Sequence, residues 1–229
     1  MASTPVRHDL LRIDPAAWPA MLRERPGLDA LVSLQDWKMR GYPVMSRRRL
    51  PDDPGACWPV AIALPPSQGK LRLALNIAPD HVADIRPPPL LLDVLRGELA
   101  GRLPDAWTDK AARAADAGAR AGMPPRLFGS AMWQCVTGMD YVTDTSDLDL
   151  IWPVAVDAFD RVPELLRALL RLEETAGPRL DGEIVFGAAG AVQWRELAAA
   201  QPEDTILVKT EHSVEIMTRA GLLALAGRR

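Results

Sequence analysis

Cysteine and histidine are scarce in this 229-residue chain, which has two of the first and three of the second. Neither Cys57 nor Cys135 sits in a Cys-x-x-Cys, and His8, His81 and His212 are scattered, so no zinc pattern exists. Two thiols so far apart read as reduced cysteines of a cytoplasmic protein. Cys135 has no histidine near it in sequence, which makes it a packed residue rather than a nucleophile. No run approaches 18 apolar residues, and the charged stretch from Met1 to Asp9 has no apolar segment behind it. Neither a membrane span nor a signal peptide is expected. A surplus of positive charge is also missing: 27 Lys and Arg stand against 30 Asp and Glu, a net charge of −3. That excludes a general nucleic-acid coat protein, and no nucleic-acid partner is expected.

What remains is an ordinary globular composition, 48% hydrophobic and 25% charged. The length fits one large domain or two small ones, with a core that needs no disulfide or metal staple. Residues 8–35 read as an irregular or helical lead-in. Strand patterns follow at 43–48 and 59–64, then a turn at Pro65-Pro66-Ser67-Gln68-Gly69. Lys70 to Ile77 alternates polar and apolar, so it pairs with 59–64 as a hairpin. Residues 1–80 are therefore expected to form a small β-rich domain. Residues 81–123 are expected to hold a proline-rich linker and helices at 90–103 and 107–121.

Residues 124–229 carry the chemistry. A short strand at 126–128 leads to Gly129-Ser130 at a helix start, and a second strand spans 147–152. Asp157 is the expected N-cap of a helix reaching Thr175, with Val162, Leu165, Leu166, Leu169 and Leu172 as its apolar face. Strands at 179–186, 191–195 and 205–210 follow, the first two joined by the Gly187-Ala188-Ala189-Gly190 turn. The order predicts an α+β domain built on a mixed sheet.

Asp147 and Asp149 lie two apart on one strand, so their carboxylates share a face while Leu148 and Leu150 point to the core. Paired carboxylates repel unless a hard cation neutralises them, and Mg²⁺ works with one or two carboxylates plus substrate phosphates. Gly129 lets the backbone approach a ligand, and the first N–H groups of the helix, with the Ser130 hydroxyl, suit phosphate. Together they describe a phosphoryl- or nucleotidyl-transfer site in which Asp147 and Asp149 hold Mg²⁺.

This segment resembles the signature of the polymerase-β-type nucleotidyltransferase fold. The fuller run from Phe128-Gly129-Ser130-Ala131-Met132-Trp133-Gln134 to Tyr141, with Thr145-Ser146-Asp147-Leu148-Asp149-Leu150-Ile151-Trp152, resembles the phosphoribosyl-dephospho-CoA transferases that act on malonate decarboxylase, its holo-[acyl-carrier-protein] synthases. Arg179-Leu180-Asp181-Gly182-Glu183, Val192-Gln193-Trp194-Arg195-Glu196, Leu64-Pro65-Pro66 and Lys70-Leu71-Arg72 are similar to that family too. The resemblance implies a defined reaction. A serine of the apo acyl-carrier subunit of malonate decarboxylase attacks 2'-(5''-triphosphoribosyl)-3'-dephospho-CoA at its α-phosphate, and pyrophosphate leaves. Two departures stand out: a longer Ser130-to-Asp147 spacing than in minimal nucleotidyltransferases, and a 187–190 turn without an acidic or polar residue. Other readings of the same residues are an adenylylating nucleotidyltransferase of this fold, or a carrier-binding module without catalysis.

Asp181 and Glu183 share a strand face, and fold-mates take a third carboxylate from such a strand; Asp181 is the expected one. Lys209 interrupts an apolar strand, either to bind triphosphate or as a surface lysine. Arg195 either holds phosphate or pairs with an acid. Trp133 and Trp152 either stack on adenine or pack in the core, the commoner role and the expected one. Arg47, Arg48, Arg49, Lys70 and Arg72 offer a basic surface for an acidic carrier protein.

Overall fold

The computed structural model describes residues 4–23, 27–28 and 32–227. The chain divides into two compact units, one of Met1–Pro88 with Met139–Tyr141, the other of Pro89–Gly138 with Val142–Arg229.

The first unit contains β1 (Leu10–Ile13), α1 (Trp18–Leu22), α2 (Val32–Arg40), β2 (Val44–Ser46), β3 (Trp58–Ala63), β4 (Arg72–Ile77) and β5 (Val82–Arg86). They make one antiparallel sheet in the order β4-β3-β2-β1-β5. The expected hairpin is present, with Trp58 opposite Ile77 and Ala63 opposite Arg72. Its turn ends on Gly69 at φ +81°, a conformation that glycine adopts without strain. Two strands differ from the sequence reading. Leu10–Ile13, expected in an irregular lead-in, lies between β2 and β5, and residues 82–86, expected in the linker, form β5 against it. Each is short and gains its place from pairing rather than from a long alternation.

The second unit contains α3 (Leu91–Arg96), α4 (Asp105–Arg120), β6 (Arg126–Leu127), α5 (Gly129–Thr137), β7 (Leu148–Pro153), α6 (Val162–Glu173), β8 (Leu180–Val185), β9 (Ala191–Gln193), α7 (Trp194–Ala199), β10 (Thr205–Lys209), β11 (Val214–Thr218) and α8 (Arg219–Ala226). The sheet order is β11-β10-β9-β8-β7-β6. It is mixed because β7 and β8 run parallel while their neighbours are antiparallel. This is the α+β class with a preceding β-rich unit that the sequence predicts. A parallel pair needs a crossover, and α6 supplies it.

The apolar positions of α6, Val162, Leu165, Leu166, Leu169 and Leu172, are all buried as expected. Asp157 is not its cap. Residues 156–161 form a 3₁₀ turn, and α6 begins at Val162 with Pro163 in its first turn. A helix begun at Asp157 would carry Pro163 inside, where its ring meets the carbonyl four residues back. Leu148, Leu150, Trp152, Leu180 and Ile184 are fully buried. At roughly 1.5–3 kcal/mol for each large apolar side chain, they anchor the parallel pair on which the candidate site stands.

Candidate active site

Gly129 opens α5 at φ +66°, directly after β6. Its backbone abuts β7: the Phe128 N–H donates to the Asp149 carbonyl at 3.0 Å. A Cβ on Gly129 would overlap Asp149 Oδ2 and lie 2.7 Å from Cγ of the same carboxylate. Glycine is thus required twice here, by the left-handed backbone and by the Asp149 side chain packed over it. The first turn of α5 receives no side-chain cap, and Ser130 sits in it half-buried.

Register places the remaining charges. In the parallel pairing of β7 with β8, Asp149 faces Asp181 and Ile151 faces Glu183. One step before each strand, Leu148 N–H donates to the Arg179 carbonyl at 2.9 Å, which sets Asp147 beside Arg179. The Arg179 fork grips Asp147 with both arms, Nε to Oδ1 at 3.0 Å and Nη2 to Oδ2 at 2.6 Å, and Nη2 lies 3.8 Å from Asp181 Oδ2. The hydrogen bond from Arg179 holds the Asp147 carboxyl below its ordinary pKa, outweighing a burial effect that pushes it up. Asp147 in turn raises the pKa of Arg179. Part of the repulsion expected around Asp147 is therefore offset by a guanidinium.

Asp181 is oriented from its other side. Its Oδ1 accepts from Gly182 N–H at 2.8 Å and from Gln193 Nε2 at 3.0 Å. Gln193 is also the N-cap of α7: its Oε1 accepts from Arg195 N–H at 2.7 Å and Glu196 N–H at 3.0 Å. That is why the strand expected over 191–195 stops at Gln193 and Trp194-Arg195-Glu196 turns into helix. Arg195 Nη1 lies 3.6 Å from Asp181 Oδ1. Its guanidinium bonds Glu173 Oε2, donates to the Leu180 carbonyl and rides over the Trp194 ring at 4.6 Å.

The structure thus joins Gly129, Asp147, Asp149, Asp181 and Arg195 through a continuous set of contacts. Arg195 is paired with an acid, Glu173. Lys209 is engaged differently. Its Nζ donates at 2.8 Å to Oε1 of Glu183, whose side chain is 8% exposed. The pair accounts for the lysine in an apolar strand and gives the second acid on β8 a partner. Trp133 and Trp152 are core residues, 3% and 0% exposed. Cys135 is buried, and burial pushes its thiol up to about 11. Arg179 and Gln193 stand out in the sequence only as members of family motifs. Their partners lie 32 and 12 residues away, a separation that no local pattern encodes.

A hard cation fits this donor set. The ligands offered are carboxylate oxygens, and among the described residues no group of three or more His, Cys, Asp or Glu is placed to hold a metal ion by itself, so substrate phosphate and water would have to complete the shell. Mg²⁺ characteristically takes one or two carboxylates and fills its shell with phosphate and water. Each Asp147 oxygen accepts one bond from Arg179 and retains a second lone pair.

In the first unit, the basic run has local work. Arg47 binds both oxygens of Asp53 at 2.6 and 2.7 Å, and Arg49 donates to the carbonyls of Pro54 and Cys57. Both arginines tie down the 50–57 loop instead of facing outward together.

Comparison with known proteins decides the family. Residues 94–220 match the phosphoribosyl-dephospho-CoA transferase MdcG C-terminal domain, and residues 6–88 match the N-terminal domain of the same family. The chain belongs to the phosphoribosyl-dephospho-CoA transferase family. It is 37% identical to a phosphoribosyl-dephospho-CoA transferase of Xanthomonas euvesicatoria pv. vesicatoria, covering 94% of this chain and 95% of the relative. It is 34% identical to one from Bradyrhizobium diazoefficiens, over 94% of this chain and 91% of that protein. This phosphoribosyl-dephospho-CoA transferase family member is accordingly a transferase enzyme, and all the site residues above fall within the matched C-terminal domain. No solved structure matches the chain. Among the described residues no helix is long and apolar enough to cross a membrane.

Proposed function

We propose that this transferase moves the phosphoribosyl-dephospho-CoA group from 2'-(5''-triphosphoribosyl)-3'-dephospho-CoA to a serine of the acyl-carrier subunit of malonate decarboxylase, working as a nucleotidyltransferase. The observation that carries the reading is the position of Asp149, seated against Gly129 at the start of α5 and in register with Asp181. A carboxylate beside a helix N-terminus joins a cation position to a phosphate position, as transfer from a triphosphate requires.

In this reading Gly129 and Ser130 receive the donor phosphates, and Asp147 and Asp149 hold Mg²⁺. When bound, the metal neutralises the charge that develops on the phosphates and orients the leaving group. The carrier serine oxygen attacks the α-phosphorus. The bond from that phosphorus to the pyrophosphate oxygen breaks, and pyrophosphate leaves with the electron pair. Asp181 takes the serine proton. Gln193 and the Gly182 N–H hold its Oδ1, so Oδ2 is the oxygen turned to the reaction. Arg195 acts by keeping Asp181 and Glu173 in place. Lys209 stays with Glu183 and takes no part in donor binding.

The test is pyrophosphate release. It should require the triphosphoribosyl donor, Mg²⁺ and apo carrier together. ATP in place of the donor should release none. Release with ATP and not with the triphosphoribosyl donor would move the enzyme to adenylylation.

A further inference from the structure

We infer that Arg179 is a ligand for the donor triphosphate that Asp147 holds in place until the cation arrives. The inference rests on the transfer site proposed above.

Arg179, Arg195 and Lys209 each approach an acid of β7 or β8 on this face of the sheet, and the last two are committed to other partners. Arg195 is fixed by Glu173, the Leu180 carbonyl and the Trp194 ring. Lys209 is fixed by a nearly buried Glu183. Arg179 differs in both exposure and partner. Its side chain is 61% exposed, and its carboxylate partner is one of the two proposed metal ligands. Exposed ion pairs add little to stability, so the two-armed grip at 2.6 and 3.0 Å contributes little to holding the fold together. Register supplies the grip automatically, because residue 179 enters β8 beside residue 147 as it enters β7.

A guanidinium fork that fits a carboxylate with two parallel bonds fits a phosphate in the same way. When Asp147 turns its lone pairs to a cation, the attraction that holds Arg179 falls. Its fork then faces anions brought in with that cation. In the free enzyme, the same arginine offsets the charge of Asp147 and, at 3.8 Å, of Asp181. One residue thus keeps the empty carboxylate site from repelling itself and becomes a phosphate contact when the site fills. The device couples cation and triphosphate binding without any movement of the sheet.

Two binding measurements, neither using turnover, test this. The first follows Mn²⁺ alone by its electron paramagnetic resonance signal. Arg179→Gln removes the competitor for Asp147 and should tighten Mn²⁺ binding about five- to twentyfold. The second uses inorganic tripolyphosphate by calorimetry, with all metal chelated. In the wild type, Asp147 occupies Arg179, so Arg179→Gln should cost less than about threefold. In an Asp147→Asn background the arginine is released, and the same change should cost about tenfold or more. Arg179→Lys should recover part of that loss, and circular dichroism establishes that each variant is folded.

Equal losses in the two backgrounds, or unchanged Mn²⁺ affinity in Arg179→Gln, overturn the role of Arg179 while leaving the carboxylate site intact. That site is checked separately by Asp149→Asn, which should abolish Mn²⁺ binding. Mn²⁺ binding that is absent throughout, or indifferent to Asp149→Asn, removes the site reading and this inference with it.

Discussion

Gly129 and Asp149 divide one space between them: the Asp149 carboxylate lies where a Gly129 side chain would be. The glycine at the helix start and the second aspartate of the pair are therefore a single packed unit, not two motifs that happen to be near each other.

Substitution at Gly129 should injure the site through Asp149. Gly129→Ala forces a left-handed backbone, costing roughly 1–2 kcal/mol, and pushes the carboxylate aside. Transfer should fall by at least about 10²-fold, since a misplacement of about 1 Å costs that much. Adding Asp149→Gly should return part of the lost thermal stability and none of the activity. Melting curves of the single and double variants measure the coupling.

The two acids of β8 should separate cleanly. Asp181→Asn should lower turnover about 10²–10⁴-fold with little change in donor affinity, as for a lost general base. Glu183→Gln should retain most activity, because an amide oxygen still accepts from Lys209. Lys209→Met should instead lower stability, through loss of its 2.8 Å pair with the nearly buried Glu183. A rate assay at saturating donor and a denaturant melt distinguish the outcomes, and a dead Glu183→Gln with an active Asp181→Asn would reverse the assignment.

Gln193→Ala should act on Asp181 and on α7 together. The lost cap costs about 1 kcal/mol of stability. Turnover should fall with KM unchanged, because Gln193 orients Asp181 without touching substrate. A Gln193→Asn variant that caps but reaches less far should recover stability more than rate.

Acid should weaken the first unit through one pair. The hydrogen bond from Arg47 lowers the pKa of Asp53 from 3.8 to about 2, against burial, which raises it. The stabilisation is complete above the unfolded value of 3.8 and is lost as pH falls towards 2. It amounts to about 2 kcal/mol, since each tenfold change in proton affinity is worth about 1.4 kcal/mol. Asp53→Asn should therefore be less stable than wild type at about pH 6 and no longer distinguishable near pH 2. Melting temperatures across that range check it.

Much of this was legible in the chain because periodicity reports burial. The alternation at Lys70–Ile77 and the regularly spaced leucines of α6 both name their buried faces. Gly129, Asp147 and Asp149 were visible because their chemistry is local. What escaped depends on strand register between distant segments. Arg179 beside Asp147, and Lys209 beside Glu183, are set by how β8 meets β7 and by how β8, β9 and β10 join. Gln193 looks in the sequence like one more strand residue, although its side chain ends β9 and begins α7. Pro163 does mark the start of α6, yet Asp157 is the more conspicuous capping residue and places the boundary too early.

The central claim is transfer of the prosthetic group at the carboxylate site, and intact-mass spectrometry of the carrier subunit tests it most directly. Apo carrier incubated with enzyme, Mg²⁺ and the triphosphoribosyl donor should gain the mass of one phosphoribosyl-dephospho-CoA group on its acceptor serine. With Asp149→Asn the gain should be slowed at least about 10³-fold, as for loss of a principal electrostatic stabiliser of the transition state. An unmodified carrier with the folded wild-type enzyme, or an equal rate of gain with Asp149→Asn, would contradict the account.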